Sequence, residues 1–128
     1  MTTRRIPATR YAERLARAQA RLPEQEASAL LIGVGADLLW LTGYAAMPLE
    51  RLTMLVLPAE GQPSLIVPRL ELGAAQVAPA VGAGLLEVLT WQETDDPFAL
   101  VADRLRASGS RPEVQIGALG GAWGRLGS

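Results

Sequence analysis

The chemistry open to this chain is bounded first by two absences: its 128 residues include no His and no Cys. His is the usual general base near neutral pH and the commonest metal ligand, and Cys supplies the usual thiolate. Any reaction would therefore have to run on carboxylates, hydroxyls or Arg. Glycoside or metal chemistry can use Asp and Glu alone, but only where two or more converge at a fixed separation. Asp95-Asp96 is followed by Pro97, a pattern better explained as a capped helix start with Pro at its first position. Glu50, Glu71 and Glu87 lie beside loops with no second carboxylate in step with them. No Ser stands in a G-x-S-x-G elbow, and without His a hydroxyl nucleophile has no ordinary base, which excludes triad hydrolysis. Gly33-Val34-Gly35 begins like a dinucleotide fingerprint, yet its third glycine would fall where Leu38 stands. A P-loop needs a Lys, and all 12 basic residues are Arg. Catalysis within this chain is not expected.

Composition narrows the partners. With 12 basic against 13 acidic residues the net charge is −1, so no attraction to nucleic acid or to an anionic membrane surface is expected. No window reaches the ~18–20 apolar residues of a membrane span, and an Arg-studded stretch follows Met1 where a signal peptide would carry its apolar core. The absence of Cys excludes disulfides and thiol redox chemistry, and a cytoplasmic, soluble protein is the expectation. An apolar share of 49% and a charged share of 20% suit one core that needs no covalent staple.

The elements that would position any site follow from local patterning. Tyr11, Leu15, Ala18 and Leu22 recur at helical spacing, predicting an amphipathic helix from Pro7 to about Leu22. Arg10, Arg14, Arg17 and Arg21 form a stripe on another face, read as solvated, with Glu13 pairing Arg17. Ala29–Ile32 is an apolar run closed by Gly33, read as a strand covered on both faces. Asp37 is placed to cap a short helical turn through Leu41, and Gly43 to stop it, leaving Tyr44 just beyond. Leu52–Leu57 and Ser64–Val67 flank the turn Pro58–Pro63, so an antiparallel hairpin is predicted. A helix from Leu70 to about Ala78 should end at Pro79, followed by a strand over Leu86–Leu89. A helix from Pro97 to about Ser108 with Gly109 as its stop, then a strand over Glu113–Gly117, completes the pattern. The fold class is α/β: a mixed sheet of about five strands with helices on both faces and an internal hairpin. The domain is expected to span 1–117. Residues 118–128, rich in glycine, read as a tail or linker.

Three stretches together resemble the creatinase-type N-terminal domain that precedes the catalytic half of Xaa-Pro dipeptidases and aminopeptidases P. They are Ser28–Ile32, Ala36–Tyr44 and Leu52–Pro68, the last carrying Met54-Leu55-Val56-Leu57 and Leu65-Ile66-Val67-Pro68. The most specific is Trp40-Leu41-Thr42-Gly43-Tyr44, which is similar to the family's aromatic-Leu-Thr-Gly-aromatic signature. The amphipathic opening helix fits as well, and the resemblance covers about positions 8 to 117.

The resemblance implies an N-terminal domain of a proline-specific metallopeptidase, a prolidase-like hydrolase, that is not catalytic alone. In that family the catalytic half holds two divalent, Mn-type metals on two Asp, one His and two Glu. None of those ligands can be assigned here, so no catalytic residue, metal or cofactor is expected on this chain. Implied partners are the chain's own C-terminal catalytic domain and a second copy in a homodimer. The loop after Gly43 would restrict access to the partner's active site, which makes Trp40, Tyr44, Met47, Glu50 and Arg51 the residues for substrate or dimer contact, with Arg69 and Glu71 a step behind. Each has a plainer alternative. Trp40 lies among Leu38, Leu39 and Leu41, where a core role outweighs ligand contact. The Tyr44 phenol needs a hydrogen-bond partner that an interface or a loop carbonyl could supply equally. Glu50-Arg51 is read first as a solvated pair worth at most about 1 kcal/mol. Two other functions stay open: a stand-alone α/β binding module, and the same domain from a creatinase-like C–N hydrolase.

Overall fold

The rhythm Tyr11, Leu15, Ala18, Leu22 buries one side of helix α1, Ala8–Arg21, as its spacing requires. The computed structural model describes residues 6–46, 51–92, 94–107, 114–117 and 123–126. Pro7 stands just outside α1 with extended backbone, and its carbonyl accepts from the Arg10 N–H at 2.9 Å. After a short 3-10 turn, strand β1, Ala29–Ile32, is buried at all four positions. Helix α2 is Ala36–Thr42, followed by β2, Met54–Pro58, and β3, Ser64–Pro68. A 3-10 turn, Arg69–Glu71, leads into α3, Leu72–Gln76, then α4, Pro79–Gly82, and β4, Glu87–Trp91. Helix α5, Pro97–Ala107, and the short strands β5, Val114–Gly117, and β6, Trp123–Leu126, complete the order.

The sheet runs β4-β3-β2-β1-β5-β6. β2 pairs antiparallel with β1 (Leu31 opposite Val56) and with β3 (Leu55 opposite Leu65), so the hairpin is as predicted. β4 lies parallel to β3, and β5 parallel to β1, which makes the sheet mixed. The strand count needs correction from about five. Four strands form the body of the sheet within residues 29–91, and β5 and β6 extend it beside β1 to six. β6 falls in the stretch whose glycines suggested a tail; it pairs antiparallel with β5, Gly117 opposite Trp123. Pairing supplied by a neighbouring strand outweighs the weak strand preference of glycine there.

Side chains alternate across the sheet, which explains the unbroken apolar runs. Leu30, Ile32, Leu55, Leu57, Leu65 and Val67 face α1, α2, α3 and α4, whereas Ala29, Leu31, Val56, Ile66 and Trp91 meet Val101 of α5. Arg104 holds α5 in place, its Nη2 lying 3.2 Å from Glu87 Oε2 and its Nε donating to Ser64 Oγ at 3.3 Å.

Two local expectations are revised. Gly35, not Asp37, caps α2; Asp37 lies in its first turn, where a carboxylate suits the positive end of the helix dipole. The helix predicted from Leu70 to Ala78 is a 3-10 turn followed by the five-residue α3. Ala78 is pushed to extended backbone (ψ 137°) by the ring of Pro79, which opens α4 at its first turn. The predicted stop at Gly109 lies outside the described residues.

Candidate functional site

The α2 stop is built by three consecutive residues. Thr42 is fully buried, and its hydroxyl donates to the Leu38 carbonyl at 2.7 Å while accepting from the Tyr44 N–H at 3.0 Å. Gly43 turns left-handed (φ 78°), and its N–H closes on the Leu39 carbonyl at 2.8 Å. A Cβ there would stand 2.5 Å from Pro79 Cδ and 3.0 Å from the Tyr11 hydroxyl, so the position also needs glycine for space. The Leu-Thr-Gly-Tyr run is therefore a packing device that aims the chain leaving α2.

Tyr44, the first residue it aims, is buried within the α1-side core, and its hydroxyl donates to Glu71 Oε1 at 3.4 Å. Burial, then the charge of Glu71 and the hydrogen bond to it, raise the phenol above its ordinary value. Tyr44 is accordingly a neutral donor at physiological pH, not a base, and it ties α2 to the 3-10 turn after β3.

Trp40 departs from the core role that its apolar neighbours suggested. Leu38 and Leu41, three residues apart on α2, are buried, while Leu39 and Trp40 are 48% and 40% exposed. Leu38 and Leu41 share the face of α2 that packs into the core, which leaves Leu39 and Trp40 turned away from it. The Arg14 guanidinium lies 4.5 Å from the centre of the Trp40 ring and 5.4 Å from that of Tyr11, and it donates to the Trp40 carbonyl at 2.7 Å. Arg14 thus leaves the solvated stripe of α1 to brace α2.

Arg51 lies elsewhere. It lines an open cleft of about 680 Å³ with Arg69, Leu70, Trp91, Gln92 and Thr94. β3 and β4 run parallel and end here at Pro68 and Trp91, and β2, antiparallel to β3, begins at the same edge. The Trp91 indole N–H donates to the Leu52 carbonyl at 2.9 Å and fixes one wall. Tyr44 reaches this wall indirectly, through Glu71 beside Leu70, while Trp40 is not among the described lining residues. Met47 and Glu50 lie outside the described residues. The sequence reading missed Trp91, Gln92 and Thr94; their signal is a polar run at the carboxyl end of a strand, where open α/β sheets place ligands.

Among the described residues no group of three or more Asp, Glu, His or Cys could hold a metal ion. Asp96 Oδ1 accepts from the Phe98 N–H at 3.0 Å and so caps α5, whereas Asp95 Oδ2 accepts from the Gln92 N–H at 2.8 Å and closes the turn before it. No helix among the described residues is long and apolar enough to cross a membrane.

Comparison with known proteins places this architecture. The creatinase/prolidase N-terminal domain model matches residues 14–115. The chain is 45% identical over 102 residues to the protein named "Probable dipeptidase PepE" in Mycobacterium tuberculosis (strain ATCC 25618 / H37Rv), a match covering 80% of this chain and 27% of that protein. The crystal structure of dipeptidase PepE from Mycobacterium ulcerans is similar with a TM-score of 0.74 and 41% identity, over 85% of this chain and 28% of that one. The N-terminal domain of Xaa-Pro dipeptidase from Lactobacillus brevis is similar with a TM-score of 0.70 and 25% identity, over 80% of this chain and 75% of that one. The chain thus spans about a quarter of the length of the curated relatives it matches. With its fold, its matched residues and its relatives in agreement, the chain belongs to the creatinase/prolidase N-terminal domain family.

Proposed function

We propose that this chain is the non-catalytic N-terminal part of a longer dipeptidase of the Xaa-Pro type, serving in dimer assembly and in gating access to the active site. The observation that carries the reading is the family match over residues 14–115, a domain named for its N-terminal position. The donor inventory supports it: a chain with no His and no Cys lacks the usual ligands of a catalytic metal site. Two divalent metals would belong to the C-terminal catalytic half. In this reading the chain past the Thr42–Gly43 stop faces a second subunit, with Tyr44 as its buried anchor and Trp40, Met47, Glu50 and Arg51 as contacts. A prolidase-like role would place the protein in the cytoplasm.

The test compares the 128-residue chain with a longer protein carrying it, each with Mn²⁺ and an Xaa-Pro dipeptide. Only the longer protein should release proline, and it should sediment as a dimer. Turnover by the short chain, or a fully active monomer of the long one, would refute the respective half of the proposal.

A further inference from the structure

The arginines of α1 stand at positions 10, 14, 17 and 21, within about 60° of one another round a helix that turns about 100° per residue. Their row flanks the buried face of Tyr11, Leu15 and Ala18 on the side where α2 packs, because Arg14 lies over the Trp40 ring and donates to its carbonyl. Arg17 and Arg21 are exposed. The pairing of Glu13 with Arg17 that their spacing suggests is not among the ion pairs of the described residues, and neither Arg17 nor Arg21 meets a described carboxylate. Of the other carboxylates on or beside these helices, Glu24 is exposed past the end of α1, Glu26 has an interaction of its own, and Asp37 is half-buried in the first turn of α2. Next to the row α2 presents Leu39 and Trp40, both exposed. Arginines beside an exposed indole are the composition of an interface centre rather than of a helix face that only meets water.

We infer that the flank of α1 carrying Arg14, Arg17 and Arg21, together with Leu39 and Trp40 of α2, is a docking surface for an acidic helical segment of a protein partner. Charge complementarity selects the sign of the occupant. Geometry selects a helix: carboxylates spaced three and four residues apart on a second helix rise by the same ~1.5 Å per residue, so a row of Glu stays in step along the ~10 Å between Arg14 and Arg21. An apolar side chain beside that row would rest on Leu39 and Trp40. A membrane suits the surface less, because the apolar face of α1 is spent on the core and cannot enter a bilayer. Nucleic acid suits it less because a net charge of −1 supplies no long-range attraction to a polyanion. The inference goes beyond the peptidase reading and does not rest on it; where a second subunit faces Trp40, this is the chemistry that subunit must present.

The experiment titrates the isotopically labelled 128-residue chain at low salt with a capped, Ala-based helical peptide carrying Glu at i, i+4, i+7 and i+11 and one Leu beside that row. One control peptide has Gln for each Glu, and another has the same composition with its Glu residues spread round the helix. The readouts are the indole N–H signal of Trp40, assigned by its loss in W40F, and the Nε–H signal of Arg14. The Glu-row peptide should shift both and saturate, the Gln peptide should shift neither, the spread peptide should bind more weakly, and added salt should release the bound peptide. R17Q and R21Q should each weaken binding about two- to fivefold, the loss expected for one exposed ion pair, whereas R106Q, which removes the same charge from α5 on the other face of the sheet, should leave it unchanged. Equal binding of the Glu-row and Gln peptides, equal binding of the row and spread peptides, or equal weakening by R17Q and R106Q would each overturn the inference. So would a response of Trp40 to phosphatidylserine vesicles or to a uridine oligonucleotide with none to the Glu-row peptide.

Discussion

Replacing Gly43 with Ala tests the device at the end of α2, because two separable costs meet at that residue. The first is backbone: φ is 78°, a left-handed conformation that costs a non-glycine residue about 1–2 kcal/mol. The second is space, since the added Cβ would sit 2.5 Å from Pro79 Cδ and 2.7 Å from Pro79 Cγ. Overpacking of that kind costs about 1–3 kcal/mol. Together they predict a loss of about 3 kcal/mol, against a total stability of order 5–15 kcal/mol for a domain. Gly84 provides the control, because it has φ 76° with nothing within 4 Å of its would-be Cβ, so G84A should carry the backbone cost alone. Urea unfolding, followed by far-UV circular dichroism and tryptophan fluorescence, would measure both. At m values of about 1–3 kcal/mol per molar, G43A should lower the midpoint by about 1–3 M and G84A by about half as much. Adding P79A to G43A removes the colliding ring atoms and should restore about 1–2 kcal/mol as a coupling energy. If G43A and G84A lose the same stability within about 0.5 kcal/mol, the close approach to Pro79 carries no energy and the reasoning fails.

Further outcomes follow from the same region. T42V keeps the shape of the side chain but leaves the buried Tyr44 N–H without its acceptor, and urea unfolding should show a loss of about 1–3 kcal/mol that T42S largely avoids. Burial and Glu71 raise the Tyr44 phenol above 10.0, so the folded state holds that proton more tightly than the unfolded chain. Its contribution is fully present below pH 10 and is lost as pH rises through the raised value, so stability measured from pH 8 to 11 should fall less steeply at the alkaline end in Y44F. L41A, at a fully buried position, should cost about 2–5 kcal/mol, whereas L39A, at a neighbour 48% exposed, should stay within about 0.5 kcal/mol in the same unfolding assay.

Sequence by itself determined what local patterning can encode. The buried face of α1, the apolar runs of β1 to β3, the Pro58–Pro63 turn and the Gly43 stop all follow from spacing within a few residues, and each stands in the structure within a residue or two. The want of His and Cys bounded the chemistry before any fold was known, and the Trp40–Tyr44 signature pointed to the family. Tertiary structure decided what depends on neighbours distant in the chain. Trp40 sits outside the core because Leu38 and Leu41 occupy the inward face of α2, and Arg14 from α1 then stacks against it. β6 exists as a strand because β5 lies beside it, against the preference of its glycine-rich surroundings. The cleft depends on strand order: only the parallel placement of β4 beside β3 brings Trp91, Gln92 and Thr94 to the edge where Arg51 and Arg69 already stand. A residue's period fixes which side of its own element it occupies, but the element it meets there is set by long-range pairing that no local window contains.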